Sequence, residues 1–538
     1  MTATDTNVTG HYKVVVIGAG FGGMYALHQL RSEGIPTICF EAGGGVGGTW
    51  YWNRYPGARV DIESMQYSYS FDEELQQDWS WPENFSAQPD IERYANHVAD
   101  RFGLREDIAF NARVDSLRFD EDTHFWHLTT ERGDEVTARF VISATGSLDA
   151  TNVPNFAGLD SFEGDWHHTS QWPEEGVSFD GKRVGVIGTG SSGVQIIPEI
   201  AKTAASLQVF QRTPAFTMPN NNQALDPDYE REWKENYAER REATRSNYGL
   251  TRFPPPHGPI LEMDPADREA LMEDLWASQA GFNLLVAFSD TAVSTEANEI
   301  LGEFVRNKIR SIVTDPEVAE KLCPRYAIGT KRVCLDSGYH ATYNRENVTL
   351  VDVRESPIEE ITPRGIRTSS GEHELDILVL ATGFDAVSGS LTRLNVTGVG
   401  GQDLRDKWKD GATNYLGMFV AGFPNLFMIH GPGSPGVLAQ MIAGAEWQVQ
   451  FVLDIIRDLD ARGVERIDTT AEWENKWDAE VEAAASYTLF GGTDSWYKGS
   501  NIEGKPKSFM VYVGGYDNYS RRCREQVEAD YEGFVLIP

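Results

Sequence analysis

Two stretches of this chain run from a β-branched apolar strand straight into a glycine turn and on into a helix, and no other feature constrains the fold as much. The first passes from Val14-Val15-Val16-Ile17 through Gly18-Ala19-Gly20-Phe21-Gly22-Gly23 into the helix-forming stretch Met24 to Arg31. The second passes from Arg183-Val184-Gly185-Val186-Ile187 through Gly188-Thr189-Gly190-Ser191-Ser192-Gly193. With 51 glycines in 538 residues, a GxGxxG spacing is expected about 0.5 times by chance, so the strand before and the helix after carry the argument. A tight turn admits only glycine, and the opening helix offers unpaired N–H groups and its positive dipole end to a pyrophosphate. The pattern predicts an α/β chain with two Rossmann-like dinucleotide-binding units.

The strand beyond each turn tells the two apart. After Gly18 the next apolar run, Thr37-Ile38-Cys39-Phe40, stops at Glu41, 23 positions on. A carboxylate at a strand end accepts hydrogen bonds from a ribose diol, which suits FAD. After Gly188 the corresponding strand, Leu207 to Gln211, runs into Arg212-Thr213, with Arg212 at 24 positions and no carboxylate. A guanidinium suits a 2′-phosphate, so NADPH is favoured over NADH.

Two further apolar runs end alike, Phe140-Val141-Ile142-Ser143 in Ala144-Thr145-Gly146 and Leu378-Val379-Leu380 in Ala381-Thr382-Gly383. They read as crossover points at which the chain leaves the first unit and later returns. The domains predicted are a discontinuous FAD-binding domain, 1–147 and 385–538, and an NADPH-binding domain, 148–384. Residues 221–330 show helical spacing, as in Leu301, Phe304, Val305, Ile309 and Ile312, and read as a helical insertion broken by Pro254-Pro255-Pro256.

Bulk properties narrow the function classes. The 41% hydrophobic and 24% charged content is that of a globular chain. A formal charge of −34 argues against nucleic acid, which needs a basic surface. The start Met1-Thr2-Ala3-Thr4-Asp5 lacks a secretory pattern, and no apolar stretch is long enough to span a membrane. Cys39, Cys323, Cys334 and Cys523 are scattered, with no CxxC pair, so a reducing, cytoplasmic setting is expected and neither a redox dithiol nor a metal site is. No obligate protein partner is evident.

Gly47 to Asp61 sets aromatics beside glycines, as core packing or as a loop over a flat ring system. Just before the second unit, Phe162, Gly164, His168, Trp172 and Pro173 spell FxGxxxHxxxWP. This resembles the fingerprint of the flavin-dependent Baeyer–Villiger monooxygenases; the related flavin-containing monooxygenases usually carry Tyr or Phe where Trp172 stands. The resemblance runs over nearly the whole chain and is nearest to phenylacetone, steroid and cyclohexanone monooxygenases.

The resemblance carries specific implications. NADPH would reduce FAD, dioxygen would give a C4a-peroxyflavin, and its attack on a ketone carbonyl would yield an ester or lactone with NADP+ and water. Arg332 is similar to the family's catalytic arginine and Asp61 to its carboxylate partner; a guanidinium stays charged in a dry pocket where a lysine could lose its proton. FAD would rest on Gly18, Gly20, Gly23, Glu41, Thr49, Trp50, Asp61, Tyr67 and Met441. NADPH would rest on Gly188, Thr189, Gly190, Ser191, Gly193, Arg212, Thr213, Lys331, Arg332 and Trp496, the last closing over the nicotinamide. His168 invites a general-base reading, but the reaction removes no proton from the ketone, so the fingerprint is read as coupling the domains.

Two rivals stand beside this reading: a flavin monooxygenase oxidising amines or sulfides, and a nucleotide-binding redox sensor. Cyclic, linear, aryl and steroid ketones are all open, because the loop Gly436 to Gln440 and the helical insertion shape the pocket.

Overall fold

A computed structural model describes residues 7–245, 247–278 and 281–538. The run at Val14 becomes the strand Thr9–Ile17, and its continuous apolar character has a plain cause. Val14 and Val16 face one core cluster and Val15 and Ile17 another, because successive side chains leave a strand on opposite faces and both faces here are covered. The strand lies parallel between Thr37–Phe40 and Glu135–Ser143. Beyond Thr37–Phe40 lies Ile108–Ala109, and beyond Glu135–Ser143 come Phe125–Thr130, Val114–Asp120 and Asn395–Thr397. Leu426–Met428 pairs with the last three residues of Glu135–Ser143, just before Ala144. Residues near 140 and near 426 thus share one sheet although the second unit separates them.

The second sheet is parallel throughout, in the order Val348–Asp352, Ser206–Gln211, Arg183–Ile187, Ile377–Leu380 and Asp165–His168. Its edge strand Asp165–His168 comes from the FxGxxxHxxxWP segment.

Both glycine turns are closed by their third glycine. A Cβ on Gly23 would stand 1.7 Å from the Gly18 carbonyl oxygen, and one on Gly193 2.3 Å from that of Gly188. Gly22 faces the helix Met441–Arg462, where a Cβ would stand in ordinary contact with Ala445 Cβ at 3.6 Å.

Among the described residues of 221–330 there are helices and no strand, as expected. The helices Pro227–Glu235, Pro265–Ala277, Thr295–Ile312 and Pro316–Leu322 start where Asp226, Asp264, Ser294 and Asp315 cap exposed N–H groups, three of them with proline in the first turn. Leu301, Phe304, Val305 and Ile309 are buried and Ile312 half-buried, while Pro254 to Pro256 are exposed. The insertion divides among three cores, and Ile309, Val313 and Leu322 join that of the second sheet. Trp233, Tyr237 and Leu250 join the core beneath the first sheet, whereas Met272, Leu284, Leu301 and Val305 pack with Phe85 and Phe216 in a separate cluster.

Candidate functional site

The two turns have the same construction. Gly18 has φ +97° and Gly188 φ +110°, and a Cβ would strike the carbonyl oxygen of Ala144 at 2.7 Å in the first and that of Ala381 at 2.3 Å in the second. Each crossover strand therefore delivers its Ala-Thr-Gly against one glycine turn. The helices beyond the turns, Phe21–Ser32 and Ser191–Ala201, both begin at a glycine with no side-chain cap and no acidic residue in the first turn. The four insertion helices described above are capped by side chains; these two leave their N–H groups for an anion. At Gly190 a Cβ would meet nothing within 4 Å, so this turn stands open.

Both turns open into one cavity of about 1690 Å³. Of the residues expected at the FAD site, Gly18, Gly20, Glu41, Thr49, Trp50, Asp61, Tyr67 and Met441 line it. Gly23 does not, being folded under its own turn. Gly188, Thr189, Gly190, Ser191, Arg212, Thr213, Lys331, Arg332 and Trp496 line the other part, and Gly193 is withdrawn in the same way. The Gly47 to Asp61 segment is cavity wall rather than core packing alone. Trp50 Nε1 donates to the Tyr67 hydroxyl at 3.0 Å, with the rings edge to face.

Glu41 is buried, and its two oxygens accept the N–H groups of Ala19 and Gly43, each at 2.7 Å. Burial raises its pKa despite these bonds. The carboxylate thus also holds the glycine turn in shape, a task its position in the sequence does not reveal.

Arg332 is bound on three sides. Nε and one terminal nitrogen donate to Asp61 Oδ2 at 3.0 and 2.5 Å, and the other terminal nitrogen donates to the Val437 carbonyl at 2.8 Å. The Phe282 ring lies 5.3 Å from the guanidinium carbon. Burial pulls the pKa of Arg332 down, but Asp61 and Tyr497 outweigh it and the net shift is upward. Three of five N–H donors are spent on Asp61 and Val437, and the Tyr497 hydroxyl also lies against the guanidinium, which fixes its plane.

Lys331, next in sequence, is placed differently. Its Nζ lies 5.0 Å over the Tyr326 ring, and burial, then repulsion by Arg212, lower its pKa. Two cations held close enough to oppose one another gain from an anion placed between them. Thr189 Oγ1 donates to the Thr213 carbonyl at 2.9 Å, joining the turn to that corner.

None of Phe162, Gly164, His168, Trp172 and Pro173 lines the cavity. His168 Nδ1 accepts the Ser170 N–H at 3.1 Å, so its proton sits on Nε2, 3.2 Å from Thr382 Oγ1, which in turn donates to the Asn152 carbonyl. Burial lowers the pKa of His168 to about 4, so the ring is neutral at ordinary pH. Trp172 packs into the core of the second sheet. Beyond Pro173, Glu174 pairs with Arg54 of the Gly47 to Asp61 segment at 2.5 Å. The segment thereby ties Thr382, in the cavity wall, to the loop that carries Asp61.

A family model described as flavin-binding monooxygenase-like matches residues 11–228. A phenazine N-monooxygenase of Lysobacter antibioticus is 42% identical over 98% of this chain and 97% of its own length. A Baeyer–Villiger monooxygenase of Pseudooceanicola batsensis is 41% identical over 99% of this chain and 98% of its own. The solved structure of an oxidized steroid monooxygenase bound to NADP superposes with a TM-score of 0.93 at 47% identity, covering 98% of this chain and 99% of that one.

The chain belongs to the flavin-dependent Baeyer–Villiger monooxygenase family. In this family member, sequence reading missed groups that act through position. The Val437 carbonyl that holds Arg332 is a backbone atom and has no sequence signature. Tyr326, under Lys331, had none either. Thr382 was legible in the repeated Ala-Thr-Gly, but its link to His168 was not.

Proposed function

We propose that the chain is an NADPH-dependent, FAD-containing ketone monooxygenase that converts a ketone to an ester or lactone, with Arg332 as catalytic residue and Asp61 as the group that positions it. The observation that carries this reading is the Arg332 guanidinium, pinned by Asp61 and the Val437 carbonyl in the wall of a cavity that both glycine turns share. FAD fits the first turn, where an uncapped helix start and Glu41 await a pyrophosphate and a ribose, and 1–147 with 385–538 is assigned as its domain. NADPH fits the second, where Arg212, Thr213 and Lys331 form a cationic corner for a 2′-phosphate, and 148–384 is assigned to it.

The reduced flavin supplies the activation of dioxygen and the delivery of one oxygen atom to the carbonyl. The remaining work belongs to the chain. Arg332 keeps its charge at any working pH and presents its remaining N–H face to oxygen atoms that gain negative charge. Asp61 accepts both of its donors on one oxygen and so sets the guanidinium plane. Trp50 and Tyr67 fix one wall of the pocket, and Trp496, in the turn Trp496–Lys498, is assigned to cover the nicotinamide. Among the described residues no helix is long and apolar enough to cross a membrane, and the four cysteines are free and buried, which supports a cytoplasmic setting. A small ketone and dioxygen are the proposed partners.

The test is product analysis with purified holoenzyme, NADPH and a panel of cyclic, linear, aryl and steroid ketones, run beside a thioether and an aromatic N-heterocycle. Ester or lactone formation with NADPH preferred over NADH is expected. Turnover of the heteroatom substrates with no ketone oxidised would move the chain to the N- or S-oxidising reading, which the phenazine N-monooxygenase relative keeps in view.

A further inference from the structure

The helix Tyr237–Arg245, in the insertion, buries a guanidinium that the proposed reaction does not use. Arg241 is 9% exposed. One terminal nitrogen donates to the Gln66 carbonyl at 2.9 Å; the other donates to Ser68 Oγ at 2.7 Å, to the Ser68 carbonyl at 3.1 Å and to the Met65 carbonyl at 3.4 Å. Among the described residues it makes no ion pair. A buried cation without a carboxylate survives only if neutral acceptors are arranged to receive it.

The segment it grips explains the arrangement. The Gln66 and Tyr67 N–H groups bond back to the Glu63 carbonyl at 2.9 and 3.1 Å, forming a single helix-like turn. Such a turn leaves its last carbonyls unpaired and pointing one way, with partial negative charge. Arg241 caps them with a planar fork.

A second side chain reaches the same carbonyl. Gln440 Nε2 donates to the Gln66 carbonyl at 2.7 Å while Gln440 Oε1 caps the helix Met441–Arg462 at the Ala443 N–H. At the far end of the segment, the Ser70 N–H and hydroxyl donate to the two carboxylate oxygens of Glu446, each at 2.7 Å. Between the two anchorages stands Tyr67, whose ring is in the cavity wall and whose hydroxyl receives Trp50.

We infer that Arg241 is a positioning residue for the oxygenation site: reaching across from the helical insertion, it holds the Met65–Ser68 carbonyls so that Tyr67 and, through Gln440, the start of the Met441 helix stand at fixed depth in the pocket. The inference rests on the flavin and ketone reading of this cavity. It gives residues 237–245 a task in the reaction, which is to set the wall against which flavin and substrate are aligned. Lysine keeps the charge but cannot span three carbonyls of one turn.

The experiment compares Arg241→Lys, Gln440→Leu and the double variant with wild type, all loaded with FAD. Four quantities are read: FAD dissociation, the fluorescence of the bound flavin, the rate of flavin reduction by NADPH, and KM against kcat for a turned-over ketone. Arg241→Lys is expected to raise the ketone KM and weaken FAD retention, with kcat/KM lower by on the order of 10- to 100-fold. The bound-flavin fluorescence should rise as the Tyr67 and Trp50 rings lose register, and NADPH-driven reduction should be nearly unchanged, since Arg212 and Lys331 are untouched. Because both side chains hold one carbonyl, the double variant should lose less than the product of the single losses. Wild-type FAD affinity, fluorescence and KM in Arg241→Lys would overturn the inference alone. Wild-type protein that holds no FAD would overturn the cofactor reading beneath it.

Discussion

Arg332 and Asp61 lie 271 positions apart and meet on a single carboxylate oxygen. Their adjacency in space gives the arginine a job that charge alone does not define. Because Nε and one terminal nitrogen are spent on Asp61 and the other terminal nitrogen on the Val437 carbonyl, the direction of the remaining N–H groups is fixed. Arg332→Ala should therefore leave flavin reduction by NADPH intact, seen as bleaching of the flavin absorbance without oxygen, while ester formation disappears. Arg332→Lys should fare nearly as badly, with turnover lower by on the order of 10²- to 10³-fold, because an ammonium has three donors and no planar fork, so binding Asp61 and Val437 alike would leave none for the reacting oxygens. Ester production by Arg332→Lys at the wild-type rate would show that charge, and not the fixed fork, is what the reaction needs. The sequence made Arg332 and Asp61 candidates by resemblance; Val437 joined them only when its carbonyl proved to face the guanidinium.

At the scale of elements, most of what the sequence promised was strands, glycine turns and a helical insertion, and those were legible because they rest on local rules. Apolar runs became strands, the helically spaced stretch became helices, and glycine turns became glycine turns. The helix Ala471–Ser486 carries a feature that no local rule reveals. Asp478 is pushed up to about 7 by burial, with Glu474 one turn away adding to it. Its ordinary value is 3.8, so between about pH 4 and 7 the folded protein keeps a proton that the unfolded chain has released. The resulting penalty is absent below pH 4, grows as pH rises, and is complete above 7. Asp478→Asn should raise the melting temperature at pH 8, with the gain shrinking on acidification and vanishing near pH 4. A gain that did not change between pH 4 and 8 would mean that Asp478 titrates normally.

At the scale of the whole molecule, two sheets built by the same device face one cavity, and the crossover strands ending at Ala144 and Ala381 join each sheet to its own glycine turn. Ligands that bind only the folded state stabilise it by mass action, about 2.7 kcal/mol at 100 times the dissociation constant. FAD and NADP+ should each raise the melting temperature, and the increments should separate by site. In an Arg212→Ala, Lys331→Ala double variant the NADP+ increment and the preference for NADPH over NADH should fall away, while the FAD increment remains. Thermal melts with each nucleotide measure this directly, and loss of both increments together would place the cationic corner at the wrong cofactor.

The sequence by itself determined the α/β class, the two nucleotide turns, the helical character of the insertion and the family, because strand patterning, glycine turns, helical spacing and short motifs are properties of neighbouring residues. Tertiary structure alone decided that Glu41 also braces its turn, that His168 is a neutral strut to Thr382, that Val437 holds Arg332, and that helix 237–245 sends Arg241 under Tyr67. Most of these are hydrogen bonds between positions far apart in the chain, and often to backbone groups, which every residue carries and no sequence distinguishes.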